Sequence, residues 1–274
     1  MSTTTRTAGS DGDMLTKTAG QKAVREGDGP MIATTQTDRK LALVAGLLLL
    51  ITYLTSIPPF LYHYAPVTGD PSYIVGAGAD TRVTWGAFLE LLLIVANIAS
   101  AVVLFPILKR VSEIGALSWV TARIVESAFI AVGLLSMLTV VSLRQGAAGT
   151  DARSLLAVGE ALVALHAWTF ALGPGFVVGI GNGMVLGYLM YRSGLVPRRL
   201  ALLGLVAGPM LCAYGTGALF GVIEAGSVWQ VIGTLPEFVW ELTLGIWLIA
   251  KGFNRAALAS GLARTGMKDL ASAA

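Results

Sequence analysis

Ionisable residues interrupt stretches of this sequence that are otherwise almost wholly apolar. The candidates for chemistry are Arg123, Glu126, Glu90, Glu241 and His166. Arg123 and Glu126 are three residues apart, so a helix would place them on one face. Ionisable groups inside hydrocarbon are costly and commonly mark ion or solute pathways. The pattern therefore predicts a buried polar cluster that binds a cation, a proton or a small polar solute.

In this functional interpretation the residues form a polar funnel that opens to the outside. From mouth to floor the funnel contains Glu237, His166, Glu160, Glu90, Glu241, Arg123 and Glu126. A structural interpretation stays open beside it. Arg123 would then pair with Glu126 or Glu241 and clamp the second, third and sixth helices together, as in an accessory subunit without an activity of its own.

A membrane-embedded enzyme that acts on lipid or uses a metal is a third hypothesis. It requires His166 and at least two carboxylates to converge within about 3 Å of one site. A metal site formed by His166, Glu160 and Glu241 is chemically permissible, but no spacing such as HExxH supports it. A haem held between His63 and His166 would need facing helix positions. The sequence identifies no catalytic residue, metal site or cofactor, and it favours a role other than catalysis.

Six long apolar runs must position these residues. A helix rises about 1.5 Å per residue, so about 20 apolar residues span the hydrocarbon core of a bilayer. The runs are Leu41–Leu61, Val83–Leu108, Gly115–Leu143, Phe170–Tyr191, Leu200–Val222 and Pro236–Ala250. They predict an all-α integral membrane bundle of six transmembrane helices.

The composition agrees with a lipid environment. Hydrophobic residues make up 55% of the chain and charged residues 13%, against about a quarter charged in soluble domains. The basic residues flank the apolar runs, so the expected partner is the lipid bilayer and not nucleic acid. No particular small-molecule ligand is indicated. Cys212 is the sole cysteine, which excludes an intramolecular disulfide.

The distribution of positive charge predicts the topology. Most of the 19 basic residues precede the first run or follow the second, fourth and sixth. The opposite side carries Arg82, Arg144 and Arg153. Basic loops stay inside, so we expect a multi-pass protein of the bacterial inner (plasma) membrane with both termini cytoplasmic. Residues 1–38 form a disordered tail, residues 39–254 the bundle and residues 255–274 a second tail.

Several small features refine the helices. Residues 152–192 resemble one continuous helix with a kink at Pro174. Glycines at four-residue intervals predict faces on which another helix approaches closely. They are Gly175, Gly179, Gly183 and Gly187 in the fourth run, and the pairs Gly204/Gly208 and Gly217/Gly221 in the fifth.

Tryptophan and proline positions suggest where runs end. Tryptophans near run ends are expected in an interfacial belt, and prolines there are expected to mark helix ends. These residues are Trp85, Trp119, Trp229 and Trp240, and Pro58–Pro59, Pro106 and Pro236.

Three strings resemble a bacterial membrane-protein family. They are ARIVESA at Ala122–Ala128, GYLMYRSGLVPRRLALLGLVAG at Gly187–Gly208 and PEFVWELTLGIWLIAKG at Pro236–Gly252. Together they are similar to the domain-of-unknown-function 4386 family over about Asp38 to Asn254. The resemblance implies a six-helix membrane bundle. It brings no activity, ligand or partner to this chain.

Overall fold

The computed structural model describes residues 36–76, 78–147, 149, 151–224 and 227–260. Within these residues the regular structure is helical, and six helices are long and apolar enough to cross a membrane. They are α1 (Gln36–His63), α2 (Asp80–Lys109), α3 (Glu113–Gln145), α4 (Ala152–Ser193), α5 (Arg198–Leu219) and α6 (Val228–Ala250). The prediction of an all-α bundle with six transmembrane helices is confirmed. Most of both predicted tails lies outside the described residues.

Successive helices run in opposite directions through the bundle. We call the end at which α2, α4 and α6 begin the distal end, and the end at which α3 and α5 begin the proximal end. α3 packs between α2 and α4, while α5 packs against α4 and α6. One apolar core of residues from α1 to α6 includes Leu104, Trp119 and Leu248, and a second, around Tyr64 and Met137, lies toward the distal end.

Helix α6 begins well before its apolar run. The side chain of Ser227 caps it by accepting a hydrogen bond from the backbone N–H of Gln230. Pro236 therefore lies inside α6, and Pro106 inside α2. The prediction that these prolines mark helix ends was wrong for Pro236, whereas Pro106 lies in the last turn of α2, which ends at Lys109. A spanning helix tolerates proline because neighbouring groups satisfy the backbone carbonyl it frees.

Helix α4 departs from regular α-helical geometry where the kink at Pro174 is predicted. It forms π-helical turns at Gly173–Val177 and again at Gly179–Leu186. Proline lacks the N–H that an α-helix uses, and its ring crowds the preceding turn. Wider turns relieve this conflict, and such turns occur frequently at functional sites.

The glycine series of α4 forms a close contact with α5. A methyl group on Gly179 would lie 2.7 Å from the Gly208 carbonyl oxygen, and one on Gly183 would lie 2.3 Å from the Gly208 Cα. The predicted close approach is confirmed for this series. It was wrong for Gly217/Gly221, because Gly217 packs against Ile223 and Gly221 lies beyond the helix with a φ of 68°.

Glycines also join the first helix to the last. A methyl group on Gly46 of α1 would lie 2.6 Å from the carbonyl oxygen of Gly245 on α6. The hydroxyl of Tyr53 donates a hydrogen bond to the Phe238 carbonyl at 2.8 Å. α1 and α6 therefore touch along their backbones.

A polar contact fastens the distal end. Arg144 at the end of α3 forms an ion pair with Asp80 at the start of α2. It also donates to the Gly76 carbonyl at 2.7 Å, and the Tyr73 hydroxyl donates to Asp80 Oδ1 at 2.7 Å. Burial and this hydrogen bond raise the pKa of Tyr73 to about 12. The segment that joins α1 to α2 is thus tied to the ends of α2 and α3.

Candidate functional site

Arg123 lies at the centre of a buried polar network. Its side chain is 2% exposed and contacts residues on its own helix and on two others. Nη1 donates to Glu126 Oε2 on the same helix at 2.9 Å. Nη2 donates to Asn97 Oδ1 on α2 at 2.7 Å, and it lies 3.4 Å from Glu241 Oε1 on α6. The predicted i,i+3 pair is present, and Arg123 extends it to α2 and α6.

Asn97 closes one side of this network. Its amide oxygen accepts from Arg123, while its amide nitrogen donates to Glu126 Oε1 at 3.1 Å. Both oxygens of Glu126 therefore accept a hydrogen bond, one from each partner. These two hydrogen bonds hold the Glu126 carboxyl group in one orientation.

Asn182 closes the other side from the π-helical part of α4. Its amide nitrogen donates to Glu241 Oε1 at 3.0 Å. Its side-chain oxygen accepts from Trp119 Nε1 at 2.9 Å, and its backbone oxygen accepts from Trp240 Nε1 at 3.0 Å. Two indoles thus fix Asn182 against Glu241.

These two tryptophans face the interior of the bundle and not its lipid-facing surface. Trp119 and Trp240 are both 0% exposed, whereas Trp85 and Trp229 are more than half exposed. The interfacial prediction was wrong for the first two. A buried indole needs an acceptor for its N–H, and Asn182 supplies one to each ring. Position near a run end does not reveal that tertiary contact.

Glu237 differs from the other carboxylates. It lies one helical turn before Glu241, is 4% exposed, and neither of its oxygens has a hydrogen-bond partner among the residues described. Gly183 of α4 faces it so closely that a methyl group there would lie 2.8 Å from Glu237 Oε2. We call Asn97, Arg123, Glu126, Asn182, Glu237 and Glu241 the central cluster.

Glu90 and His166 belong to a separate group nearer the distal end. The Tyr64 hydroxyl donates to Glu90 Oε2 at 2.7 Å, and His166 Nε2 lies 3.2 Å from Glu90 Oε1. We call Tyr64, Glu90 and His166 the distal trio. Glu90 and Asn97 are two turns apart on α2, about 10 Å along its axis. The structure thus divides the predicted site into two layers.

Two members of the predicted funnel mouth lie elsewhere. Glu160 is exposed and lines a cavity of about 230 Å³ with Asp70 and Ile74. Glu237, expected beside it, lies against Gly183 in the proximal half of α4. The position of a residue along a helix predicts its depth in the bilayer but not which face of the helix it occupies.

The proposed metal and haem ligands do not come together. His166 contacts Glu90, Glu160 lines the distal cavity and Glu241 contacts Arg123. His63 Nδ1 lies 3.0 Å from the Arg82 carbonyl oxygen, whereas His166 Nε2 lies 3.2 Å from Glu90 Oε1. Across the described residues, no three side chains of His, Cys, Asp or Glu are placed to hold a metal ion.

Sequence reasoning missed Asn182 and Tyr64. Asn182 is the one polar side chain in the string GIGNG, which was interpreted as helix packing alone. An amide within an apolar run is itself a signal, since hydrocarbon offers it no partner. Tyr64 follows a Pro-Pro pair and gave no comparable signal, because its role depends on how α1 ends beside α2.

A match to a known protein family covers both groups of polar residues. The sequence profile described as domain of unknown function (DUF4386) matches residues 44–252, which is most of the chain. The chain belongs to the DUF4386 family. All three strings that suggested this family fall within the match. No curated protein and no solved structure matches the chain.

The DUF4386 match includes the central cluster and the distal trio. The family description assigns no reaction or ligand to them. The chain is a multi-pass membrane protein, and its activity has to be argued from the geometry of these two groups.

Proposed function

We propose that this protein lies in the bacterial inner (plasma) membrane and that its central cluster binds and releases a proton. One observation carries the proposal. The Glu237 carboxyl group is buried within a spanning helix, and neither of its oxygens accepts a hydrogen bond from any described residue. Ionisable groups in that environment mark functional sites, and carboxyl groups there form proton relays.

The balance of charge in the cluster supports this proposal. One guanidinium, that of Arg123, faces the carboxyl groups of Glu126, Glu241 and Glu237. Arg123 contacts the first two directly. An isolated carboxylate in a medium of low dielectric constant is very costly, so such a group becomes neutral or acquires a counter-charge. A proton bound to Glu237 makes that carboxyl group neutral and takes up almost no space.

A monovalent cation is the closest alternative ligand. It would also offset the excess of carboxylates, since carboxylate oxygens are ligands for hard cations. A methyl group on Gly183 would lie only 2.8 Å from Glu237 Oε2. This narrow space favours the proton over a larger ion.

The distal trio extends the route toward the distal end. Glu90 and His166 are a carboxylate and an imidazole in direct contact, the residue types of known proton relays. A proton that enters at the distal end would meet this pair before Glu126. Asn182 lies in the second set of π-helical turns of α4, so a change of register there would move it relative to Glu241.

The proposed orientation places both termini in the cytoplasm. Basic residues flank the proximal ends of the helices, among them Arg39, Lys109 and Arg198. Such residues are retained on the cytoplasmic side. The distal trio would then lie nearer the outside, and the central cluster near the middle of the bilayer.

A structural role for Arg123 is the second candidate. Its contacts to Asn97, Glu126 and Glu241 join α2, α3 and α6, as a clamp requires. This role and proton exchange at Glu237 are compatible, because the clamp uses other oxygens. The enzyme hypothesis has less support, since His166 contacts a single carboxylate in the described part of the chain.

Infrared difference spectroscopy tests proton exchange directly. The protein in lipid nanodiscs is cycled between acidic and alkaline pH while the carbonyl stretch of protonated carboxyl groups is recorded. We expect a titrating band that is lost in Glu237→Gln and kept in Glu160→Gln, which alters an exposed carboxylate. A band unchanged by Glu237→Gln contradicts the proposal. A spectral change that requires sodium at fixed pH favours the monovalent cation.

A further inference from the structure

A second site opens at the proximal end, where α4 ends, α5 begins and α6 ends. It is a cavity of about 510 Å³. Arg198 and Lys251 line it with Trp247 and Asn254. The cavity is separate from the central cluster and includes none of its residues.

The walls of this cavity are held in place by the turns around it. The backbone N–H of Asn254 donates to the Leu195 carbonyl at 2.8 Å, joining the segment after α6 to the turn after α4. Gly194 and Gly252 have φ angles of 68° and 73°, a conformation that glycine adopts at little cost. Leu195 and Phe253 are buried beneath the opening. The site is therefore preformed.

The charge at this cavity is positive. Arg198 and Lys251 are both exposed, and the residues that line the cavity include no acid. The guanidinium of Arg198 lies 5.8 Å from the centre of the Tyr191 ring. α5 begins at Arg198, and no side chain caps its N-terminus. The helix dipole adds to the positive field there.

We propose that this cavity binds the phosphate group of an anionic phospholipid. The cavity lies at the ends of three spanning helices, which is the level of the headgroups. Basic pockets between helices on the cytoplasmic side bind such headgroups, and a tryptophan such as Trp247 is typical of that depth. Leu202 follows Arg198 by one turn on the same face and is half exposed. An acyl chain can extend along it toward the centre of the bilayer.

A free phosphate ion offers the same chemistry to Arg198 and Lys251. It lacks the acyl chains that would contact Leu202. The lipid is the favoured ligand because the site opens beside a surface that faces hydrocarbon. If the ligand is a lipid, binding needs a molecule with acyl chains. If the ligand is free phosphate, it does not.

Native mass spectrometry of the purified full chain can separate these cases. The protein is equilibrated in detergent with equal amounts of phosphatidylglycerol and phosphatidylcholine, and bound lipids are counted. We expect phosphatidylglycerol to be retained preferentially. Each basic residue near a membrane contributes on the order of a fivefold gain in affinity for anionic lipid. Arg198→Gln with Lys251→Gln should therefore weaken binding by roughly 25-fold.

Two matched variants control for a general effect of charge or of folding. Arg198→Lys with Lys251→Arg keeps both charges and should retain the lipid. Lys109→Gln removes an exposed cation from the same end of the bundle, where it pairs with Glu113, and should also retain it. Excess inorganic phosphate that displaces the lipid and binds alone identifies a soluble anion as the ligand. Equal retention of both lipids, or unchanged binding in the double glutamine variant, overturns the proposal.

Discussion

A methyl group at residue 183 would come within 2.8 Å of Glu237 Oε2. Gly183 on α4 thus leaves the space that the unpartnered carboxyl group of α6 occupies. The same glycine lies against the backbone of α5 at Gly208. One position without a side chain therefore serves both the close packing of two helices and the room around the candidate proton-binding group.

Gly183→Ala should destabilise the bundle. The added methyl group would lie 2.3 Å from the Gly208 Cα, so α4 and α5 must separate. Overpacking of this kind costs about 1–3 kcal/mol. Thermal unfolding in detergent measures the loss. Gly146→Ala is the matched control, since the nearest atom to its methyl group would be 3.5 Å away. Equal melting temperatures for the two variants would refute the close contact.

Arg123 and Glu126 should show strong energetic coupling. Arg123→Ala alone leaves Glu126 and Glu241 buried without their cation, which costs about 3–5 kcal/mol. Glu126→Gln alone removes the charge that Arg123 contacts at 2.9 Å. The double variant should recover part of the stability lost in the single variants. A double-mutant cycle of unfolding free energies measures this coupling. Additive losses would argue against a clamp.

Trp119→Phe should destabilise the protein, because it removes a hydrogen bond to Asn182. The phenyl ring fills most of the space but cannot donate to Asn182 Oδ1, which the indole reaches at 2.9 Å. Leaving that buried acceptor without a donor costs about 1–3 kcal/mol. Trp85→Phe changes a ring that is 55% exposed and should be nearly neutral. The comparison uses thermal unfolding of both variants. A neutral Trp119→Phe would contradict the contact.

Alkaline pH should loosen the distal end through Tyr73. Its pKa in the folded protein is about 12, against an ordinary value of 10.0. A group whose pKa is raised on folding contributes stability at pH values below its unfolded pKa. That contribution is lost as the pH rises from about 10 toward 12. Phenolate absorbance of the wild type minus that of Tyr73→Phe gives the titration of this one ring. A midpoint near 10 in the difference would contradict both the burial of this ring and its hydrogen bond to Asp80.

Hydropathy was enough to predict the six helices, because a bilayer imposes one length on every segment that crosses it. It was not enough for the start of α6. The stretch before Pro236 contains Ser227, Gln230 and Thr234, which lower its mean hydropathy. The Ser227 cap nevertheless begins the helix there. Local capping and tolerance of proline inside a packed helix are not visible in hydropathy.

The sequence was a partial guide to the site. The spacing of Arg123 and Glu126 is local, so helical periodicity places them together. The partners Asn97, Asn182 and Glu241 come from three other helices, and their meeting depends on rotation of each helix about its axis. The predicted funnel placed His166 at its mouth, Glu90 below and Arg123 at its floor, but it did not predict that Glu90 and His166 contact each other as a separate group. Whether these groups exchange protons stays a prediction.

The contact of Gly46 with Gly245 has a consequence for biosynthesis. Helix α1 leaves the ribosome before the other five described helices, yet its Gly46 lies against Gly245 of α6, the last of the six to be made. Until that final segment is inserted, the small-residue face of α1 lacks the surface it fits. Truncation after α5 should therefore leave a chain that inserts but is degraded quickly, whereas supplying α6 as a separate polypeptide should protect it.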